Sequence, residues 1–344
     1  MKQTKHVLIL IFLVLIVKTS FAQQDAQFSQ YMFNSLYYNP GFAGVEGVTR
    51  FTGIHRTQWL NYQPTLYDGV APQSTIISAS TPFPKQKMGV GGFLMVDRLG
   101  PLTTLNFDIS ISKHVKIGTG TLGLGLSGGV LNQRINANDY IVVEQEDPVY
   151  QHLRQNGNIS QVRPDLAVGA WYHHKKYYFG ASFNHLVRSR FSFGLDQIRS
   201  QLNNHLYITG GYNFQVLPNL VVTPSAFVQS DLNTLTYLFG AIATLDERLY
   251  AGINVRQSFA ERVAGTNEGR RLSNDDIIFL VGVNVLKNAQ GVDALRIGYA
   301  FDFVTSGVDA KKRTSHEIML SYLIPNPFGV AAPPVRTPRY RHDN

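Results

Sequence analysis

Thr103-Thr104-Leu105-Asn106-Phe107-Asp108-Ile109-Ser110-Ile111-Ser112-Lys113 alternates apolar and polar residues almost without a break. Successive strand residues point to opposite faces, so Leu105, Phe107, Ile109 and Ile111 share one face. Thr104, Asn106, Asp108, Ser110 and Ser112 share the other. Residues 295–304 repeat the pattern, with Leu295, Ile297, Tyr299, Phe301 and Phe303 opposite Arg296, Gly298, Ala300 and Asp302. Residues 121–132, 166–173, 206–214, 236–244 and 277–285 do the same, and about fourteen such segments follow Val48. One apolar face opposite a small or polar face is the lipid-out, lumen-in pattern of a transmembrane β-barrel. A soluble β-sandwich also alternates, so the connections carry the decision. Links at residues 83–86, 174–175, 215–218 and 246–248 are short, whereas those at 60–73, 135–163, 186–203 and 259–275 are long. Short turns on one rim and long loops on the other mark an outer-membrane barrel. The reading predicts an all-β fold, a transmembrane antiparallel β-barrel of about 14 strands over residues 48–323. An even strand count puts both termini on the periplasmic rim, the expectation for a multi-pass barrel in the outer membrane. Aromatics near strand ends (Trp59, Trp171, Tyr177, Tyr178, Tyr207, Tyr237, Tyr250 and Tyr322) are expected to form interfacial girdles.

Composition agrees with a barrel. Charged residues are 16% of the 344 and aromatics 12%, against roughly 25% charged in soluble proteins. Mean hydropathy is −0.08, which excludes a helical membrane protein. With no Cys, the chain has no disulfide, thiolate metal site, lipidated Cys or thiol nucleophile. The formal charge of +8 falls by three to +5 if Lys2, Lys5 and Lys18 leave with a secretory leader. The remaining basic residues are scattered and not striped, which argues against nucleic acid as a partner.

The chain divides into four parts. Lys2 and Lys5 precede the apolar run of residues 7–17, and Ser20-Phe21-Ala22 offers small residues to a signal peptidase, so residues 1–22 read as a signal peptide cleaved after Ala22. Residues 23–47 carry Phe28, Tyr31, Phe33, Tyr37, Tyr38 and Phe42. Phe28, Tyr31, Met32 and Leu36 recur at helical spacing, which predicts a short amphipathic helix over residues 25–36. Asn39-Pro40-Gly41 then forces a turn. Exposed, these aromatics would make a large apolar patch. The segment is therefore a plug or hatch in the lumen, a partner-binding surface on the periplasmic side, or disordered. A barrel this wide is not filled by its own strand side chains. Residues 324–344 form a tail with Pro325, Pro327, Pro333, Pro334 and Pro338, excluded from helix and central strand. Arg336, Arg339 and Tyr340 make a compact aromatic-basic anchor in that tail, a candidate contact for a partner.

Barrel closure requires the last strand to pair with the first. That brings Glu317 toward Arg56 and Gln58 on the lumen side, with Asp302 on the adjoining strand, and a charge-assisted Arg56–carboxylate contact is expected. Other constellations fare less well. Gly123-Leu124-Gly125-Leu126-Ser127-Gly128-Gly129 matches both the dinucleotide and the hydrolase glycine patterns, yet lies inside one strand and lacks the strand–turn–helix setting both need. It reads as small residues on a crowded lumen face. His173-His174 point to opposite faces and do not share a metal. Glu144, Glu146 and Asp147 offer calcium-type oxygen ligands without EF-hand spacing. The reading assigns no catalytic residue, no metal set and no cofactor.

The opening stretch also carries a resemblance. Asp25-Ala26-Gln27-Phe28-Ser29-Gln30-Tyr31-Met32-Phe33-Asn34, then Asn39-Pro40-Gly41-Phe42-Ala43-Gly44 and Arg56-Thr57-Gln58-Trp59, in that order, resemble the start of the PorP/SprF family of type IX secretion system outer-membrane proteins. Asp97-Arg98-Leu99-Gly100-Pro101, Glu146-Asp147-Pro148-Val149-Tyr150, Pro164-Asp165-Leu166, residues 296–302 and Ser315-His316-Glu317-Ile318 resemble later family blocks. Gly41 stands where the family usually has Ala, and the tail has Thr337 and Tyr340 where the family often has Cys and Phe. The resemblance implies a non-enzymatic outer-membrane component that assists secretion or surface delivery of cargo proteins such as large adhesins. In some relatives it implies a part in gliding motility. Implied partners are other type IX secretion components, exported cargo proteins and outer-membrane lipid. The alternative is a FadL-like transporter of small hydrophobic molecules, which would need an apolar lumen pocket where these lumen faces read small and polar.

Overall fold

The computed structural model describes residues 25–60, 71–136, 151, 155, 157–193, 200–260, 271–287, 293–305 and 314–328. Its strands are β1 (Thr49–Thr57), β2 (Gln73–Phe83), β3 (Met88–Leu99), β4 (Leu102–Ile117), β5 (Gly120–Asn136), β6 (Asn158–His173), β7 (Tyr177–Asn184), β8 (Arg190–Phe191) and β9 (Ser200–Gln201). After these come β10 (His205–Tyr212), β11 (Phe214–Leu217), β12 (Leu220–Ser230), β13 (Leu235–Leu245), β14 (Leu249–Ala260), β15 (Arg271–Lys287), β16 (Asp293–Val304) and β17 (Ser315–Ile324). β8 and β9 form a separate two-stranded ribbon; β11 continues β10. The rest make a closed, antiparallel barrel of 14 strands. β1 seals it against β17, with Thr49 opposite Ile324 and Arg56 opposite Glu317. Among the described residues no helix is long and apolar enough to cross a membrane; the chain crosses with strands.

The alternation that defined the strands reappears as burial. On β4, Leu105, Phe107, Ile109 and Ile111 face outward and exposed, while Asn106, Asp108, Ser110 and Ser112 are buried toward the lumen. The ordinary soluble order is inverted: the polar face is the inner one, because the outer face meets lipid. All links at one end are short, among them Pro84–Gln86 with Lys87 and the turn at Asp246 and Glu247, where positive φ tightens the chain. The other end carries the long connections, including residues 185–204, on which β8 and β9 sit.

Residues 25–47 lie inside the barrel. They run from the long-loop half, where Asp25 borders a vestibule, to the short-turn rim, where Gly44 abuts Gly89. This corrects two expectations. First, residues 25–36 are not one amphipathic helix: a single 3-10 turn (Tyr31–Phe33) and a one-turn helix α1 (Ser35–Tyr38) are the only helical pieces there. The segment is enclosed on every side, and its backbone N–H groups at Ser29 and Gln30 bond to the barrel wall and not along a helix. Second, residues 25–47 do not sit on the short-turn side alone, although both ends of the barrel itself lie at that rim. Asp25 lies toward the long-loop end, whereas Ile324 pairs with Thr49 at the short-turn end. The expected leader, residues 1–22, lies outside the described residues.

The aromatic girdle is also revised. Trp171, Tyr178, Tyr207 and Tyr250 are buried in the lumen against the inner segment, while Tyr177 and Tyr322 are exposed on the outer face. Their place near strand ends reflects what the segment needs as well as what the interface needs.

Candidate functional site

The site is the junction between the inner segment and the barrel wall. Two zones hold it, by different means.

The upper zone is electrostatic. Arg56 of β1, Arg256 of β14, Asp276 of β15, Asp302 of β16 and Glu317 of β17 all point inward and are buried. Arg56 Nη2 lies 2.7 Å from Asp302 Oδ2, and its Nη1 3.4 Å from Glu317 Oε2. Arg256 Nη1 lies 2.6 Å from Asp276 Oδ2 and 3.3 Å from Asp302 Oδ2. Ser29 sits at the centre of this ring of charges. Its hydroxyl accepts from Arg56 Nη1 at 2.6 Å and Arg256 Nη2 at 3.0 Å, and donates to Asp302 at 2.7 Å. One donor and two acceptor sites exhaust a hydroxyl's capacity. The Glu317 carboxylate takes the next two backbone donors, Ser29 N to Oε2 and Gln30 N to Oε1, both at 2.8 Å. Each charge thus faces at least one opposite charge, the condition under which burying charge is tolerable.

The lower zone is steric. Asn39 donates from Nδ2 to the Ala170 and Ala181 carbonyls at 2.9 and 3.1 Å, while its Oδ1 accepts from Gly41 N at 2.8 Å. The turn Pro40–Phe42 is pressed against strands made of glycine. A Cβ on Gly125 would fall 2.3 Å from Gly41 N, one on Gly123 2.3 Å from Gly41 O, and one on Gly169 2.2 Å from Asn39 Oδ1. The glycine run on β5 is therefore the seat of the inner segment. Gly41 fits it tightly: its own Cβ would stand 2.8 Å from Gly123 O. Phe42 packs edge-on against Trp171 at 4.9 Å, and Trp171 stacks on Tyr178 at 5.3 Å.

Aromatic packing fills the space between the zones. Tyr31 stacks on Phe227 at 4.7 Å, Tyr37 meets Phe93 at 5.1 Å and Tyr38 meets Tyr207 at 5.2 Å. Phe33 lies on Tyr250 and under the Arg296 guanidinium, 4.7 Å away. Two voids between segment and wall measure only about 10 Å³ each, room for roughly one water. Above Ser29 a polar vestibule of about 300 Å³ opens, lined by Gln27, Arg56, Gln58, Asp97, Arg256 and Asp276 among others.

At the head of the segment Asp25 meets His185, 2.8 Å from Oδ2 to Nε2, and accepts a hydrogen bond from the Tyr207 hydroxyl on the same oxygen. Burial alone would raise the Asp25 carboxyl, but His185 and His205 beside it outweigh burial and hold it well below the usual carboxylate range. Burial alone would lower His185, but Asp25 and Asp165 push it well above the usual imidazole range.

Each residue singled out in the sequence can now be placed. Arg56, Asp302 and Glu317 are together. Phe28, Tyr31, Tyr37 and Tyr38 are buried in the lumen, with Phe33 partly so, and a partner reaches them only if the segment leaves. Arg336, Arg339 and Tyr340, like Glu144, Glu146 and Asp147, lie outside the described residues. The tail is described as far as Phe328, which stacks on Phe83 at 4.6 Å. Sequence reasoning missed Ser29, Arg256 and Asp276. Arg256 was within reach, since it shares the inward face of β14 with Asn254. It also missed the grouping of Asp25, His185 and His205, whose members lie far apart in sequence and on no recognisable spacing.

The family described as type IX secretion system membrane protein PorP/SprF matches residues 20–322, the inner segment and nearly all of the barrel. The chain belongs to the PorP/SprF family. A comparison with curated proteins finds no match. Among solved structures, this PorP/SprF chain is similar to the outer membrane protein Omp33 of Acinetobacter baumannii, at 7% identity and TM-score 0.44 over 82% of this chain and 100% of that one. It is also similar to the Ralstonia pickettii toluene transporter TbuX, at 10% identity and TM-score 0.47 over 85% and 93%. The CymD monoaromatic hydrocarbon channel gives 10% and 0.47 over 88% and 94%. Membership in PorP/SprF makes the chain a membrane protein of a secretion system with an outer-membrane barrel fold.

Proposed function

We propose that this protein is a non-enzymatic, plugged outer-membrane barrel that serves type IX secretion as an accessory, assisting the secretion or surface delivery of cargo proteins such as large adhesins. The observation that carries the reading is the closed lumen. Residues 25–47 fill the barrel core and leave two voids of about 10 Å³ each beside them. A barrel held shut by its own chain, with a polar vestibule above the closure, suits a docking and anchoring role better than conduction of small hydrophobic molecules. Other secretion components and exported cargo are its partners. The Pro-rich tail from Ile324, whose prolines restrict the backbone in advance and so limit the entropy lost on ordering, is a contact for the machinery.

The test is deletion of the gene, with comparison of secreted and surface-exposed proteomes against a complemented strain. A defined set of cargo proteins is expected to be lost from the surface on deletion and restored by the full-length chain. Restoration should fail with a chain truncated after Pro327 that reaches the outer membrane at the same level. Unchanged proteomes would overturn the reading, and a loss of hydrophobic-compound uptake in their place would favour the transporter alternative.

A further inference from the structure

We infer that Asp25, His185 and His205 form a binding site for one divalent transition-metal ion of the zinc type, which fastens the head of the inner segment to the barrel wall. This inference is independent of the secretory reading. One ligand atom from each of the three residues lies within 4.8 Å of the other two. They come from three separate places: the start of the inner segment, the residue after β7 and the first residue of β10. His185 and His205 are both buried, with rings edge-to-face at 5.2 Å.

The surroundings are those of a metal centre. Each imidazole has its second nitrogen held by an acceptor. His185 Nδ1 lies 2.8 Å from Asp165 Oδ2, and His205 Nδ1 lies 3.1 Å from the Asn203 carbonyl. With Nδ1–H donating in each, Nε2 is the nitrogen left for a metal, on His185 in exchange for the proton it gives to Asp25. His185 Nε2 lies 2.8 Å from the Asp25 carboxylate, and His205 Nε2 accepts from the Asp25 backbone N–H at 3.4 Å, two contacts that a bound metal would replace. Metal-bound histidines characteristically give their other N–H to a carboxylate or a carbonyl. Asp165 is itself fixed, its Oδ1 accepting from Leu166 N at 2.9 Å. Imidazole with carboxylate suits zinc, and three protein ligands leave a fourth position for water. The Tyr207 hydroxyl donates to the Asp25 carboxylate. An entry path exists, because Asp25 also lines the vestibule of about 300 Å³.

The experiment uses the full mature chain, tag removed, in detergent. It is loaded with zinc chloride, dialysed against metal-free buffer and assayed for zinc by mass spectrometry; a cobalt(II)-loaded sample is read by visible absorption. One retained zinc per chain and the intense bands of a tetrahedral cobalt centre are expected. His185→Gln and His205→Gln should each lose both signals while keeping the heat-modifiable migration of a folded barrel. Tyr207→Phe should retain them. Asp165→Asn, which touches only the outer hydrogen bond, should weaken zinc binding by about 10–100-fold. No retained zinc in the wild-type chain, or equal retention in the folded histidine variants, would overturn the site and leave a hydrogen-bonded clamp. Because the wild-type measurement needs no variant, a variant that fails to fold does not blunt the test.

Discussion

The two zones that hold the inner segment solve one problem in opposite ways. Around Ser29 the wall supplies charge, and the segment contributes a hydroxyl and two backbone donors. Around Gly41 the wall supplies absence: Gly123, Gly125 and Gly169 remove side chains so that backbone can lie on backbone. The first zone is strong wherever its members are complete and costly wherever one is missing, because a buried charge without a partner is penalised heavily. The second has little energy in any single contact but tolerates almost no added volume. A segment held this way has an electrostatic lock near the vestibule and a shape-matched seat near the short-turn rim.

The comparison is broken most severely at Arg56. Arg56→Ala takes the cation from buried Glu317 and one of two cations from buried Asp302, and should cost about 3–5 kcal/mol, measured as a shift in denaturant unfolding of the barrel in lipid vesicles. A cycle with Glu317→Ala sharpens this. The two residues should couple by about 0.5–3 kcal/mol, and strict additivity would show that the contact is not an interaction. Ser29→Ala comes next. It removes three bonds to charged groups while changing no charge, and a loss of about 1.5–3 kcal/mol is expected. In the seat, Gly125→Ala adds one methyl where backbone already lies, and should cost about 1–3 kcal/mol. Added salt should move none of these effects much, because the Arg56 and Ser29 contacts are buried and the Gly125 effect is steric. The smallest effect belongs to Tyr31→Phe, which removes only the 3.0 Å hydrogen bond to Ser225 and keeps the ring stacked on Phe227; about 0.5–1.5 kcal/mol is expected.

What was legible in the sequence follows from the same contrast. Lipid imposes period two on every strand, so alternation in residues 103–113 and 295–304 pointed to the barrel and to which face is inner. Closure of β17 on β1 is a topological necessity, so the inward charges of those strands can be paired from the sequence alone. Arg256 and Asp276 escaped because relative heights across three further strands depend on tilt and on the irregular register between β14 and β15 near Arg256. The glycine seat was visible as small residues, but what they make room for was not, since Gly41 lies more than eighty residues from Gly123 in sequence. The inner segment was misread as a helix because one-sided periodicity is informative only for an element with one exposed side, and this one has none. The lumen aromatics were taken for girdle residues for a related reason: position near a strand end does not say which face a ring is on.

The central claim is that residues 25–47 close the barrel. Planar-bilayer conductance of the purified full-length protein tests it most directly, with Arg56→Ala/Glu317→Ala beside it at equal insertion. The account predicts no steady unitary current from the wild-type barrel and discrete open-pore steps from the variant, whose upper lock has lost the Arg56 and Glu317 contacts to Ser29, Gln30 and Asp302. Steady open-pore conductance from the wild-type protein, equal to that of the variant, would contradict it.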